Sequence, residues 1–119
     1  MPNWTESEMK RRSEIEAGRT VVANQRRGVD VELIRWAKAN DKFVRIDRGT
    51  AWGNPYKDSS NDENCDAYIE NFENTRLMEK IPELKGMALG CWCHPKRCHG
   101  HFLADLINRI NKGAVTGIS

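Results

Sequence analysis

TVVANQRRGVDVELIRWAKANDKFVRI, residues 20–46, decides the fold class. Thr20-Val21-Val22-Ala23 is short, β-branched and followed by polar residues, which reads as a strand. Asp30 stands immediately before Val31–Ala39, where it is expected to cap a helix of two to three turns. Lys42-Phe43-Val44-Arg45-Ile46 alternates polar and apolar residues at the period of a second strand. Alternation of strand and helix favours a small, mostly parallel sheet with helices packed on it.

The pattern continues toward the C-terminus. Two glycines and a proline within Asp47–Tyr56 exclude regular structure there, and Ser59 to Asp62 is a polar turn. Cys65, Tyr68, Ile69 and Phe72 fall at i, i+3, i+4 and i+7, an amphipathic helix with Cys65 on its apolar face as a packing residue. Leu77, Met78 and Ile81 suggest one more helical turn, stopped by Pro82. Gly86–Cys93 is the third strand expected. From Gly100 onward, Phe102, Leu103, Leu106, Ile107 and Ile110 form an apolar stripe, with Asp105 and Arg109 paired outside it and Gly113 as the stop.

Toward the N-terminus, Thr5 and Glu8 have the spacing of a capping box, and a charged helix is expected to run to Ala17 with Gly18 ending it. Its apolar face consists of Met9 and Ile15, so the reading is an appendage, an interaction arm or a frayed tail. The resulting organisation is an N-terminal helical extension (1–19), a single α/β domain (20–113) and a loose tail (114–119). The architecture expected is a three- or four-stranded sheet flanked by helices, a Rossmann-like sandwich.

The 119 residues are 39% hydrophobic and 30% charged, which suits one ordinary domain with a modest core. No apolar run has the length of a membrane helix, and the N-terminus lacks the apolar core of a secretory signal. A cytoplasmic location without membrane contact is therefore expected. A net charge of +2 is too mild to argue nucleic-acid binding by itself.

The chemistry concentrates in CWCHPKRCHGH, residues 91–101. Three of the four cysteines (Cys91, Cys93, Cys98) and all three histidines (His94, His99, His101) lie inside it. On a strand, Cys91 and Cys93 point to one face. With Cys98 and His101 they make a Cys₃His set that suits tetrahedral zinc, although His99 or His94 would serve as the fourth ligand and C-x-C is less usual than C-x₂₋₄-C in zinc modules. Without metal, Cys98 at the start of the last helix meets unpaired N–H groups that favour a thiolate, and His99 beside it makes a nucleophile–base pair. The same helix end suits a phosphate or carboxylate. Small cysteines closing the sheet against the helix are the plain structural alternative.

RGTAWGNPY, residues 48–56, follows the second strand, and in parallel sheets such loops carry ligands. Gly49 and Gly53 admit close backbone approach, Arg48 suits a phosphate, Thr50 lies in the same turn, Trp52 offers a face for a base and Asn54 an edge-reading amide. The alternative is a rigid turn with Trp52 covering the core.

Together the two segments resemble the domain of unknown function 4326 family, common in bacteria and phages. The resemblance runs from about Thr20 to Lys112 and rests on Arg48-Gly49-Thr50-Ala51-Trp52-Gly53-Asn54-Pro55-Tyr56, on Leu84-Lys85-Gly86, and on Cys91-Trp92-Cys93-x-Pro95-x-x-Cys98-His99-Gly100. It implies no activity. Members commonly carry Asp where this chain has His101, which shifts weight toward Cys98 and His99.

Three functions compete. One is a site binding or acting on a nucleotide or related phosphorylated small molecule, held by the 48–54 loop, with Cys98 and His99 performing acid–base or nucleophilic work. Another is a zinc-stabilised, non-catalytic module of phage origin that binds nucleic acid or a host protein. A structural adaptor using the N-terminal helix is a third.

Overall fold

The computed structural model describes residues 3–47, 49–56, 58–92 and 98–117. Three strands, β1 (Val21–Asn24), β2 (Phe43–Arg45) and β3 (Ala88–Cys91), form an all-parallel sheet in the order β1-β3-β2. The helices are α1 (Glu6–Glu16), α2 (Val31–Ala39), α3 (Asn61–Asn71), α4 (Leu77–Lys80) and α5 (His99–Gly117). Short 3₁₀ turns follow α3 and α4, and Pro82 sits inside the second of them. Among the described residues, no helix is long and apolar enough to cross a membrane.

The fold is thus α/β, and the sheet has the smaller of the two expected sizes. Central strand β3 is buried along its whole length, as expected of a parallel strand covered on both faces. Its pleat separates two cores. Leu89 and Cys91 face α5 with Val22, Ile46, Leu103 and Ile107, whereas Ala88 faces α1 and α2 with Val21, Ala23, Ile15, Leu33 and Ala37. Leu89 and Leu103 are wholly buried, and each such side chain contributes about 1.5–3 kcal/mol. Gly90 lies where a side chain has no room: a Cβ there would stand 2.5 Å from Phe43 Cζ and 2.9 Å from Gln25 Cδ.

Three local expectations are corrected. Asp30 precedes α2 but does not cap it. At φ 49° its carboxylate turns back to accept from Arg11 (2.6 and 2.8 Å) and from the Asn24 N–H (2.8 Å). Glu8 takes over the cap, accepting the Leu33 N–H at 2.8 Å from the neighbouring helix. This explains the second correction. α1 is no appendage, because Glu8, Arg11 and Ile15 are all buried against α2 and β1, and Arg11 also donates to the Val22 carbonyl at 2.9 Å. A helix with so little apolar face docks through a buried ion pair and a borrowed cap. Third, α5 continues past the expected stop at Gly113 as far as Gly117. The expected third strand of 86–93 is observed over Ala88–Cys91, with Gly86 in a turn at φ 67°, its N–H donating to Thr20 Oγ1 at 3.1 Å.

Candidate functional site

All three strands end on the same side of the sheet because all are parallel. At that edge lies a cleft of about 460 Å³. Arg45, Asp47, Gly49, Asn54 and Tyr56 line it from the end of β2 and the following loop. Asn61, Asn64 and Cys65 come from α3, Cys91 and Trp92 from the end of β3, and Cys98 and His99 from the start of α5. The glycine-rich loop and the cysteine cluster, 40 residues apart in the chain, therefore share one wall-to-wall hollow.

The centre of its polar side is Asp47. The carboxylate accepts from Arg45 Nε (3.1 Å) and Nη2 (2.9 Å), from Trp92 Nε1 (3.2 Å), from Gln25 Nε2 (3.2 Å) and from the Gly49 N–H (3.1 Å). Gln25 follows β1, Arg45 ends β2 and Trp92 follows β3, so one carboxylate ties together the exits of all three strands. Partial burial pushes the Asp47 carboxyl upward. The donors, Arg45 foremost and then Trp92, Gly49 and Gln25, outweigh it and hold the group below the ordinary carboxylate value.

Opposite stand the sulfurs. Cys91 and Cys98 are 2% and 4% exposed, neither is in a disulfide, and both belong to one buried cluster. Cys98 immediately precedes α5, and its carbonyl accepts the His101 N–H at 3.1 Å. The neighbouring Cys91 thiol, then burial, push the Cys98 thiol upward, and the backbone N–H groups of His101 and Gly100 only partly offset this. Gly100 makes the fit: a Cβ there would lie 2.6 Å from Ile46 Cδ1 and 3.3 Å from Cys98 Sγ.

His99 is oriented by two neighbours. Its Nε2 lies 2.6 Å from the Ile46 carbonyl oxygen, which only accepts, so Nε2 carries the proton and Nδ1 is the basic nitrogen. Its ring lies 4.8 Å from that of Tyr68. His101 turns elsewhere. Its Nδ1 accepts the Cys98 N–H at 3.2 Å, the reciprocal half of a helix cap, and the side chain does not line the cleft.

The four residues expected as zinc ligands are therefore distributed as follows. Cys91 and Cys98 are together, His101 is engaged with the helix start, and Cys93 lies outside the described residues, as do His94, Lys96 and Arg97. Among the described residues, no three His, Cys, Asp or Glu side chains converge as a metal-holding group.

Of the loop residues expected at a ligand, Gly49 and Asn54 line the cleft and Arg48 lies outside the described residues. Asn54 is buried and braces the wall, donating to the Asn64 carbonyl (3.0 Å) and accepting the Tyr56 N–H (2.9 Å). Thr50 closes the turn on the Asp47 carbonyl. Gly53 faces a second, smaller hollow with Pro55 and Phe72. Trp52 is 8% exposed and packs in the core, its carbonyl accepting from the buried Tyr68 hydroxyl at 3.0 Å. The turn has the rigid form given above as the alternative, and the aromatic surface in the cleft comes instead from Trp92 (51% exposed) and Tyr56 (37% exposed).

Sequence reasoning did not single out Asp47, Arg45, Trp92 or Tyr56 as functional. The available signal was position: each sits at, or just beyond, the C-terminal end of a parallel strand or in the loop that follows.

A family model spans both segments. Residues 31–109 match the family model described as Domain of unknown function (DUF4326). An uncharacterized 12.4 kDa protein in the nrdA-td intergenic region of Enterobacteria phage T4 is 39% identical over 83 residues, which span 61% of this chain and 74% of that one. No solved structure matches the chain.

Proposed function

The chain belongs to the DUF4326 family, and from that premise we propose that its cleft binds a nucleotide or a related phosphorylated small molecule. The observation that carries this reading is an exposed indole, Trp92, fixed at the rim of the same hollow that receives the start of a 19-residue helix. A flat ring stacks on an aromatic face, and a phosphate is stabilised by the N-terminal end of a helix. A nucleotide carries both groups. The volume lies within the range of small-molecule sites, which hold roughly 300–1,000 Å³. Arg45, whose side chain is 55% exposed, adds a cation held in place by Asp47.

We assign ligand contact to both Cys98 and His99, and proton transfer to His99 alone. The Ile46 carbonyl fixes the His99 tautomer, whereas the Cys91 thiol and burial push the Cys98 thiol upward. Thermal-shift and calorimetric titration against nucleoside mono-, di- and triphosphates, with the matching nucleosides and inorganic phosphate as controls, test the reading. The expected result is a saturable shift with at least one nucleotide that is lost in Trp92→Ala. Equal, non-saturating responses to all of them would overturn it.

A further inference from the structure

We propose that Cys91 and Cys98 form a reversible intramolecular disulfide, making the floor of the cleft a redox centre for low-molecular-weight disulfides. The inference does not depend on what the cleft binds. It rests on where the fold sends two sulfurs. The pleat of β3 turns Cys91 toward α5, on the same face as Leu89. The chain returns at Cys98, directly before the first turn of that helix. The two side chains belong to one buried cluster, and both lie on the wall of the cleft. Bond formation requires the two Cβ atoms to come to about 3.5–4.5 Å apart. Cys98 stands at the N-terminal end of α5, which favours negative charge on its sulfur as it forms or leaves.

The exchange balances with a disulfide such as oxidised glutathione as the oxidant. One cysteine of the pair, as thiolate, attacks a reagent sulfur; the reagent S–S bond breaks and one reduced thiol departs. The second cysteine attacks the protein-side sulfur of the mixed disulfide, the Cys91–Cys98 bond forms, and the second thiol departs. Two protein thiols are oxidised, one reagent disulfide is reduced, and the two protons end on the released thiols. Because both sulfurs are nearly covered and the Cys98 thiolate is disfavoured, the reaction is slow.

The test uses the full chain, reduced, treated with chelator and confirmed folded by circular dichroism. It is incubated with oxidised glutathione, and its thiols are then counted and its peptides mapped by mass spectrometry. The expected result is loss of two thiols and two hydrogens, a linked pair of peptides containing Cys91 and Cys98, and full recovery with dithiothreitol. Trp92, next to Cys91, reports the same change by fluorescence. Cys91→Ala and Cys98→Ala each stop at a mixed disulfide or remain unreacted. Linkage of Cys91 to Cys65 or Cys93, a stable glutathione adduct on the parent protein, or thiols that react only in denaturant would each overturn the proposal.

Discussion

The indole N–H of Trp92 rests on the Asp47 carboxylate at 3.2 Å, so the residue after the central strand is held by one from beyond its edge neighbour. An exposed tryptophan is ordinarily free to turn between rotamers. This one has its edge fixed and its face left open.

That arrangement separates the two tryptophans nearest the site. Trp92→Ala is expected to leave the urea midpoint nearly unchanged and to weaken binding of the cleft's ligand by about 1–3 kcal/mol, the worth of one stacked ring. Trp52→Ala is expected to cost about 3–5 kcal/mol of stability, because Trp52 fills the core beside Tyr68. Parallel urea denaturation and ligand titration of both variants check the contrast. A Trp92→Ala variant as unstable as Trp52→Ala would contradict it.

Asp47→Asn removes the charge that gathers Arg45, Trp92, Gln25 and Gly49. The Arg45 side chain is half exposed, so the expected loss is modest, about 1 kcal/mol at neutral pH. The pH dependence has a definite sign. A carboxyl held below its ordinary value of 3.8 contributes fully above that value, and its contribution disappears as pH falls through the lower folded-state value. Parent and variant should therefore differ at pH 7 and converge in acid. Urea midpoints taken across that range would reveal a constant gap if the carboxylate contributed nothing through its charge.

Arg11→Ala leaves the Asp30 carboxylate buried without its cation. The expected cost is about 3–5 kcal/mol, and Arg11→Lys, which keeps a cation beside Asp30, should lose less. Thermal melting of the three proteins decides the point. Deletion of residues 1–19 should be more damaging still, since it also removes the Glu8 cap on α2.

Gly90→Ala is expected to destabilise by about 1–3 kcal/mol through overpacking against Phe43. Phe43→Leu in the same chain should relieve part of that loss. Additive losses in the double variant, measured by a double-mutant cycle, would show that Phe43 is not the obstacle.

The β-strand and helix order was legible because hydrophobic period speaks directly to it. Val31–Ala39 is helical over the span read from sequence, and Cys65, Tyr68 and Phe72 share the buried face that their spacing requires. The meeting of the two motifs followed from parallel strands alone. The identity of the stacking ring did not. Trp52 was expected in a loop and Trp92 in a strand, and neither context encodes that Tyr68 packs beneath Trp52 while Trp92 faces solvent. The docking of α1 was equally hidden, because a helix anchored by Glu8 and Arg11 resembles a solvated one in any count of apolar residues. His101 was read as a ligand because it follows Cys98 by three residues on a helix, and its engagement with the Cys98 N–H depends on a rotamer that sequence does not encode.

The central strand is the last of the three to be synthesised, and β1 and β2 touch it and not each other. A nascent chain emerging from the ribosome therefore carries two solitary strands until Ala88–Cys91 arrives to join them. Truncation upstream of that point does not shorten the sheet; it abolishes it. Long-range pairing of this kind delays assembly and leaves apolar edges uncovered meanwhile. The same late segment delivers the sulfurs and Trp92, so the ligand cleft and the sheet come into existence in a single closing event.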